Sequence, residues 1–225
     1  MSAQLWRYSA AADWYDRLAA PLWEHTAGRT AMKRVRHEVS HQVPHGAHVL
    51  DVGAGTGRST QLILDEADPA SVVGIDNAAL MLQKARHRVR DPRARFEAGD
   101  ATALDFDDDS LDAVVALWVL ETLADPLAAL RECLRVLRPD GRVIAAFSSR
   151  PERTTAALLA RPAGTVIQRL FAGRFLTEQE RPLHACSMDC IHRHTFGYVT
   201  VTTFGKRCQL STVPAPRQRS DLAWP

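Results

Sequence analysis

The sequence predicts an α/β fold with a parallel sheet. From residue 48 to 147, short apolar runs alternate with helix-period segments, the pattern of βαβ units. A glycine-rich stretch joins the first of those runs to the next helical segment, and 225 residues suffice for one well-buried α/β domain with elaborations.

Each element follows from local pattern. An aromatic-rich lead carrying Trp6, Tyr8, Trp14, Tyr15 and Trp23 suits a lid, and Met32, Val35 and Val39 predict a helix over 29–42. Strands are predicted at 49–52, 72–75, 94–97, 113–117 and 142–147. Asn77 is placed to cap a helix reaching about Arg90, which Asp91-Pro92 ends. Residues 126–137 set Leu127, Leu130, Leu134 and Leu137 on one helical face, and the turn "RPDG" (138–141) stops them. Residues 151–180 read as helix and loop. Residues 190–213 alternate β-branched and polar residues as antiparallel strands around Gly197 and Gly205. A single domain over 1–213 is expected: a lead (1–43), a core (48–147) and a substrate-side elaboration (148–213), followed by a poorly ordered tail (214–225).

Composition narrows the function classes. The 28 basic and 26 acidic residues leave a charge of +2, too small to draw nucleic acid or membrane by bulk charge. The longest apolar run, 113–120, is too short to cross a bilayer, and no signal-peptide pattern opens the chain, so a soluble, cytoplasmic protein is expected. Four irregularly spaced cysteines suit reduced thiols rather than a disulfide framework.

The stretch "HVLDVGAGTGRST" (48–60) sets Gly53, Gly55 and Gly57 between a strand and a helix, where bare backbone lets a ligand approach a helix N-terminus. Its spacing is G-x-G-x-G, not the G-x-G-x-x-G of dinucleotide binders. Acids surround it. Asp76, at the end of the second strand, is placed for ribose hydroxyls, and Asp100, after the third, for an adenine amino group. Asp51 suits an ammonium group and would repel a pyrophosphate. Together they favour a cationic nucleoside.

With these residues the sequence resembles the class I S-adenosylmethionine-dependent methyltransferases over about residues 13–147. The likeness lies in "VLDVGAGTG" (49–57), "VVGIDNA" (72–78), "GDATALDFDDDSLDAVVALWVLETLADP" (99–126) and "ALRECLRVLRPDGRVI" (129–144). The wording is similar to the branch of ubiquinone/menaquinone C-methyltransferases and bacterial phosphatidylethanolamine N-methyltransferases. The resemblance implies a Rossmann-like, seven-stranded, mostly parallel sheet flanked by helices, with one antiparallel strand from a C-terminal hairpin. It implies S-adenosyl-L-methionine as cofactor, S-adenosyl-L-homocysteine as product, and no metal. It also implies residue roles. Gly53, Gly55 and Gly57 line the methionine moiety, with Asp51 near its amino group; Asp76 binds the ribose, with Asn77 and Met81 flanking the adenine. Asp100 and the Ala101 backbone read the adenine edge, Leu117 and Trp118 face the sulfonium, and Tyr15 closes over the cofactor.

Methyl transfer from a sulfonium is an in-line displacement, so alignment and exclusion of water supply much of the catalysis, and a base is needed only for a protonated acceptor. Glu121 lies where this branch often carries histidine or glutamate near the acceptor, a candidate catalytic residue that equally suits capping or pairing within a helix. The Asn/Asp-Pro-Pro-aromatic signature of base-amine methylation is absent after the fourth strand, as is the carboxylate of magnesium-dependent catechol methylation. A small, partly apolar acceptor is therefore expected, a lipid, quinone or secondary metabolite methylated at O, N or C, with no nucleic-acid partner. Peripheral lipid contact is compatible with the arginines of "ARHRVRDPRAR" (85–95), which also suit a helix C-terminus. Cys186, Cys190, His192 and His194 invite a zinc reading, with the last three on one strand face, but match no standard finger. Two alternatives stand beside this reading: a nicotinamide-dependent oxidoreductase, and a methyltransferase-like subunit that binds without catalysis.

Overall fold

Apolar strands covered on both faces form the centre of the molecule. The structure, a computed structural model, describes residues 28–149, 176, 188–196 and 199–206. Within these, strands β1 (His48–Val52), β2 (Ser71–Asp76), β3 (Ala94–Ala98), β4 (Leu111–Leu117), β5 (Leu137–Ser148), β6 (Met188–Phe196) and β7 (Val199–Lys206) form one sheet in the order β3-β2-β1-β4-β5-β7-β6. Pairing is parallel from β3 across to β5. β7 runs antiparallel to both β5 and β6, so it is the one reversed strand of a mostly parallel, seven-stranded sheet.

Alternation along each strand divides the core. Val49, Val72, Ala113 and Ile144 face helices α1 (Arg29–Gln42), α2 (Arg58–Ala67) and α3 (Ala79–Arg88), whose Val35, Ile63 and Ala85 are fully buried against that face. Leu50, Val73, Val114 and Val143 face the other way, where α4 (Pro126–Val136) contributes Ala129, Leu130, Cys133 and Val136. Asp125 starts α4, its Oδ1 accepting the N–H groups of Leu127 (3.0 Å) and Ala128 (2.9 Å), and Pro126 occupies the first turn, where no N–H is missed. Strand order reverses between β1 and β4, which opens a crevice at their carboxyl ends.

Several local expectations are corrected. Residues 138–141 lie within β5 as a bulge rather than before it as a turn. Leu111 pairs with Leu137 and Ala113 with Arg142, leaving four residues opposite Asp112. Arg138 pairs with the Asp112 carboxylate there, and a Cβ at Gly141 would meet Leu137 at 2.6 Å. Asn77 does not cap α3; Ala78 holds that position, and the Asp76 carboxylate takes the Ala78 N–H at 2.8 Å. That helix ends at Arg88, with Val89 closing onto the Ala85 carbonyl. The buried face of α4 centres on Ala129, Leu130 and Cys133, with Leu127 and Leu134 only half-buried. Gly205 sits inside β7 opposite Arg142, so it makes no turn. The aromatic lead, the readings for 151–180 other than Leu176, Gly197 and the tail lie outside the described residues. No helix among the described residues is long and apolar enough to cross a membrane.

Candidate functional site

The crevice is floored by the glycine loop, and each glycine has its own reason. All three adopt left-handed backbone, with φ of 72° at Gly53, 53° at Gly55 and 84° at Gly57. A Cβ on Gly53 would meet Val119 Cγ2 at 2.4 Å, so this glycine lets the loop touch the segment after β4. A Cβ on Gly55 would meet nothing nearer than 3.9 Å, which leaves that face of the loop open to a ligand. A Cβ on Gly57 would meet Ala85 Cα at 3.0 Å, so Gly57 seats the start of α2 against α3. Backbone bonds fix the loop to β2: the Gly53 and Ala54 N–H groups both donate to the Ile75 carbonyl at 2.9 Å. From α3, Arg88 donates to the Thr56 carbonyl and hydroxyl, each at 2.6 Å.

Three carboxylates stand at successive strand ends. Asp51 of β1 is fully buried; its Oδ2 accepts the hydroxyls of Ser59 (2.7 Å) and Thr60 (2.5 Å), while its buried Oδ1 has no hydrogen-bond partner. Desolvation pushes its pKa up to about 6 against the two hydroxyls, with the Asp76 charge adding to the rise. Asp76 of β2 anchors the loop, Oδ2 accepting the Gly55 N–H at 2.9 Å and Oδ1 that of Ala78. Burial raises its pKa despite those bonds. The Asn77 N–H bonds this carboxylate too, and with three backbone donors it keeps acceptor capacity for a ligand hydroxyl. Asp100, just past β3, is exposed; its Oδ1 takes the Thr102 N–H (2.8 Å) and hydroxyl (2.7 Å), which lower its pKa.

Around these, Met81 and Ala101 are buried and Asn77 is exposed. Leu117 ends β4, and Trp118 follows with φ of 55°, a conformation rare for a bulky side chain, its N–H held by the Ala146 carbonyl at 2.6 Å. Glu121 lies in a single 3₁₀ turn, Leu120–Thr122, over the end of β5. Its Oε1 accepts the Ser148 N–H at 3.0 Å, and its buried Oε2 has no hydrogen-bond partner. Burial pushes its pKa up to about 7. Tyr15 lies outside the described residues.

Sequence reasoning missed Ser59, Thr60, Val119 and Arg88. The first two had a visible signal, hydroxyl residues directly after the last glycine, in the first turn of a helix. The residues fit a cationic nucleoside: an orphaned carboxylate oxygen is buried beside the loop, and the face at Gly55 is bare.

Among the described residues, no group of three or more His, Cys, Asp and Glu is placed to hold a metal. The register shifts between Cys190 and His192, so Cys190 pairs with Phe204 and His192 with Thr203, on opposite faces of β7. The expected shared face of Cys190, His192 and His194 is therefore broken by a bulge, and His192 Nδ1 lies 3.2 Å from Glu38 Oε2. Cys186 lies outside the described residues. In the arginine-rich stretch, Arg86 donates to the Phe96 carbonyl and Arg93 pairs with Asp91 and Asp68, ties within the fold.

Residues 50–145 match the family described as a methyltransferase domain. The chain is 44% identical over 108 residues to a demethylmenaquinone methyltransferase of Clavibacter sepedonicus, covering 47% of this chain and 43% of that protein. It is 32% identical over 134 residues to a phosphatidylethanolamine N-methyltransferase of Cereibacter sphaeroides, covering 58% of this chain and 64% of that one. The chain thus spans less than half the length of the demethylmenaquinone methyltransferases it matches. In fold it is similar to a solved SAM-dependent methyltransferase of Thermotoga maritima, with a TM-score of 0.65, 19% identity, and 89% of this chain and 98% of that chain covered.

Proposed function

We propose that the protein, whose residues 50–145 match a methyltransferase domain, is a class I S-adenosylmethionine-dependent enzyme that moves a methyl group from S-adenosyl-L-methionine to an O, N or C atom of a small, partly apolar acceptor. The observation that carries this reading is the row of carboxylates, Asp51, Asp76 and Asp100, at the ends of β1, β2 and β3 beside a glycine loop. A dianionic dinucleotide would meet repulsion along that row, whereas a ligand bearing an ammonium and a sulfonium finds partners.

When bound, the cofactor supplies an electrophilic methyl group. Asp51 holds its ammonium group, Asp76 its ribose hydroxyls, and Asp100 with the Ala101 backbone its adenine edge, between Asn77 and Met81. Gly55 gives the backbone clearance for the methionine moiety, Gly53 seats the loop lining it against Val119, and Gly57 fixes the helix start behind it. Leu117 and Trp118 exclude water beside the reacting centre, and Tyr15 covers it. Glu121 is the acceptor-side group: its unpartnered Oε2, with a pKa near 7, takes a proton from an acceptor hydroxyl or ammonium at neutral pH. Relatives named for menaquinone and phospholipid methylation favour an acceptor with an apolar body, a quinone or lipid, with a secondary metabolite as the further class. No metal and no nucleic acid enter this reading, and it places the protein in the cytoplasm, with peripheral lipid contact for a lipid acceptor.

Thermal unfolding with added ligands tests it. S-adenosyl-L-methionine and S-adenosyl-L-homocysteine, at about 100 times their dissociation constants, are expected to stabilise the fold by about 2.7 kcal/mol, and NAD to leave it unchanged. Stabilisation by NAD alone overturns the reading.

A further inference from the structure

The buried Asp51 carboxylate is asymmetric. Oδ2 is saturated by two hydroxyls from the first turn of α2, and Oδ1, equally buried, is left without a partner. An uncompensated buried carboxylate oxygen is costly, and nothing in the packing of the fold calls for one there. Asp51 shares the strand face of Val49, among the apolar residues that α2 packs against, where an aliphatic side chain would complete the buried face. The arrangement makes sense as half of a contact, with the other half brought by a ligand.

Resting on the function proposed above, we propose that Ser59 and Thr60 are positioning residues for the amino-acid end of the cofactor: they keep Asp51 ionised and turned so that Oδ1 receives the ligand's ammonium group. Neither touches the ligand. Thr60 is fully buried and Ser59 half-buried, and both hydroxyls are directed to Asp51. They act against two forces that favour a protonated Asp51: its burial and the charge of Asp76 from β2. From α3, Arg88 bonds Thr56 of the glycine loop. A protonated Asp51 would present a hydroxyl or a weak acceptor to an ammonium, so the two donors set the pH above which the amino-acid end is recognised. Below that pH, binding drives one proton off Asp51 into solvent.

Two ligands separate this from a general packing role. S-adenosyl-L-homocysteine carries the amino acid, and 5′-methylthioadenosine shares the nucleoside and thioether without it. Thr60→Val removes the hydroxyl at constant shape. Calorimetric titration is expected to show S-adenosyl-L-homocysteine weakened about tenfold and 5′-methylthioadenosine unchanged within about twofold. For the wild type, affinity for S-adenosyl-L-homocysteine falls as pH drops through about 6, and in Thr60→Val that fall moves to higher pH. Thr60→Ser, which keeps the donor, restores both properties, and Ser59→Ala reproduces the shift in milder form should Thr60→Val not fold. Equal weakening of both ligands, or an unmoved pH profile, overturns the inference. A wild type that binds neither ligand overturns the proposed function instead.

Discussion

The three loop glycines share left-handed backbone but differ in what a side chain would meet, and this separates their expected effects. Gly53→Ala places a methyl group 2.4 Å from Val119 on top of the conformational strain, and is expected to lose about 3 kcal/mol of stability. Gly55→Ala meets open space and carries the strain alone, about 1 kcal/mol, yet sets its methyl group where the ligand approaches. Urea unfolding midpoints are expected to rank Gly53→Ala well below Gly55→Ala, while both lose S-adenosyl-L-homocysteine binding. The spacing of these glycines made the loop legible in the sequence, as did the carboxylates after it. Their division of labour was not legible, because Val119 lies 66 positions from Gly53 and Ala85 lies 28 from Gly57. The second duty of Asp76, holding the Gly55 N–H, was hidden for the same reason.

At the scale of elements, helix α1 shows where pattern stops informing. Met32, Val35 and Val39 placed it with its observed ends, because helical periodicity is a local property. The pattern did not reveal that Glu38, an ordinary-looking polar position, is buried. It pairs with Arg34 and accepts the Thr203 hydroxyl at 2.6 Å, with His192 also in reach, and so pins α1 to the hairpin. These bonds outweigh desolvation and keep its pKa low. Glu38→Ala strips the partner from Arg34 and is expected to lower stability by about 3 kcal/mol, against about 1 kcal/mol for Thr203→Val, read from chemical denaturation. The bulges in β5 and β6 escaped the sequence as well. A bulge is set by what the neighbouring strand offers, here Asp112 to Arg138, and not by the propensity of the residues that form it.

For the molecule as a whole, the two buried carboxyls with raised pKa shape the response to pH. Between its ordinary value of 4.5 and its folded value of about 7, Glu121 binds its proton more tightly in the folded state. Its contribution to stability is therefore full below 4.5, declines as pH rises, and is gone above about 7. Asp51 acts in the same sense between 3.8 and about 6. Carboxyls with lowered values, such as Asp112 and Glu132, act oppositely, so the test is a difference between proteins. The stability of wild type minus that of Glu121→Gln is expected to fall by at most about 1.4 kcal/mol per pH unit across this window and to level off above it. Its measure is the urea midpoint from pH 4.5 to 8; a flat difference counts against a buried, proton-holding Glu121.

The reversed strand β7 bears on how the protein is born. Among the described strands it is the last to be translated, yet it lies between β5 and β6 and reaches across 165 positions to Glu38. The nascent chain exposes α1 and β5 while the strand that joins them is still untranslated. Until β7 arrives, β5 and β6 both lack the partner that joins them, and a chaperone that shields strand edges would find its work on β5.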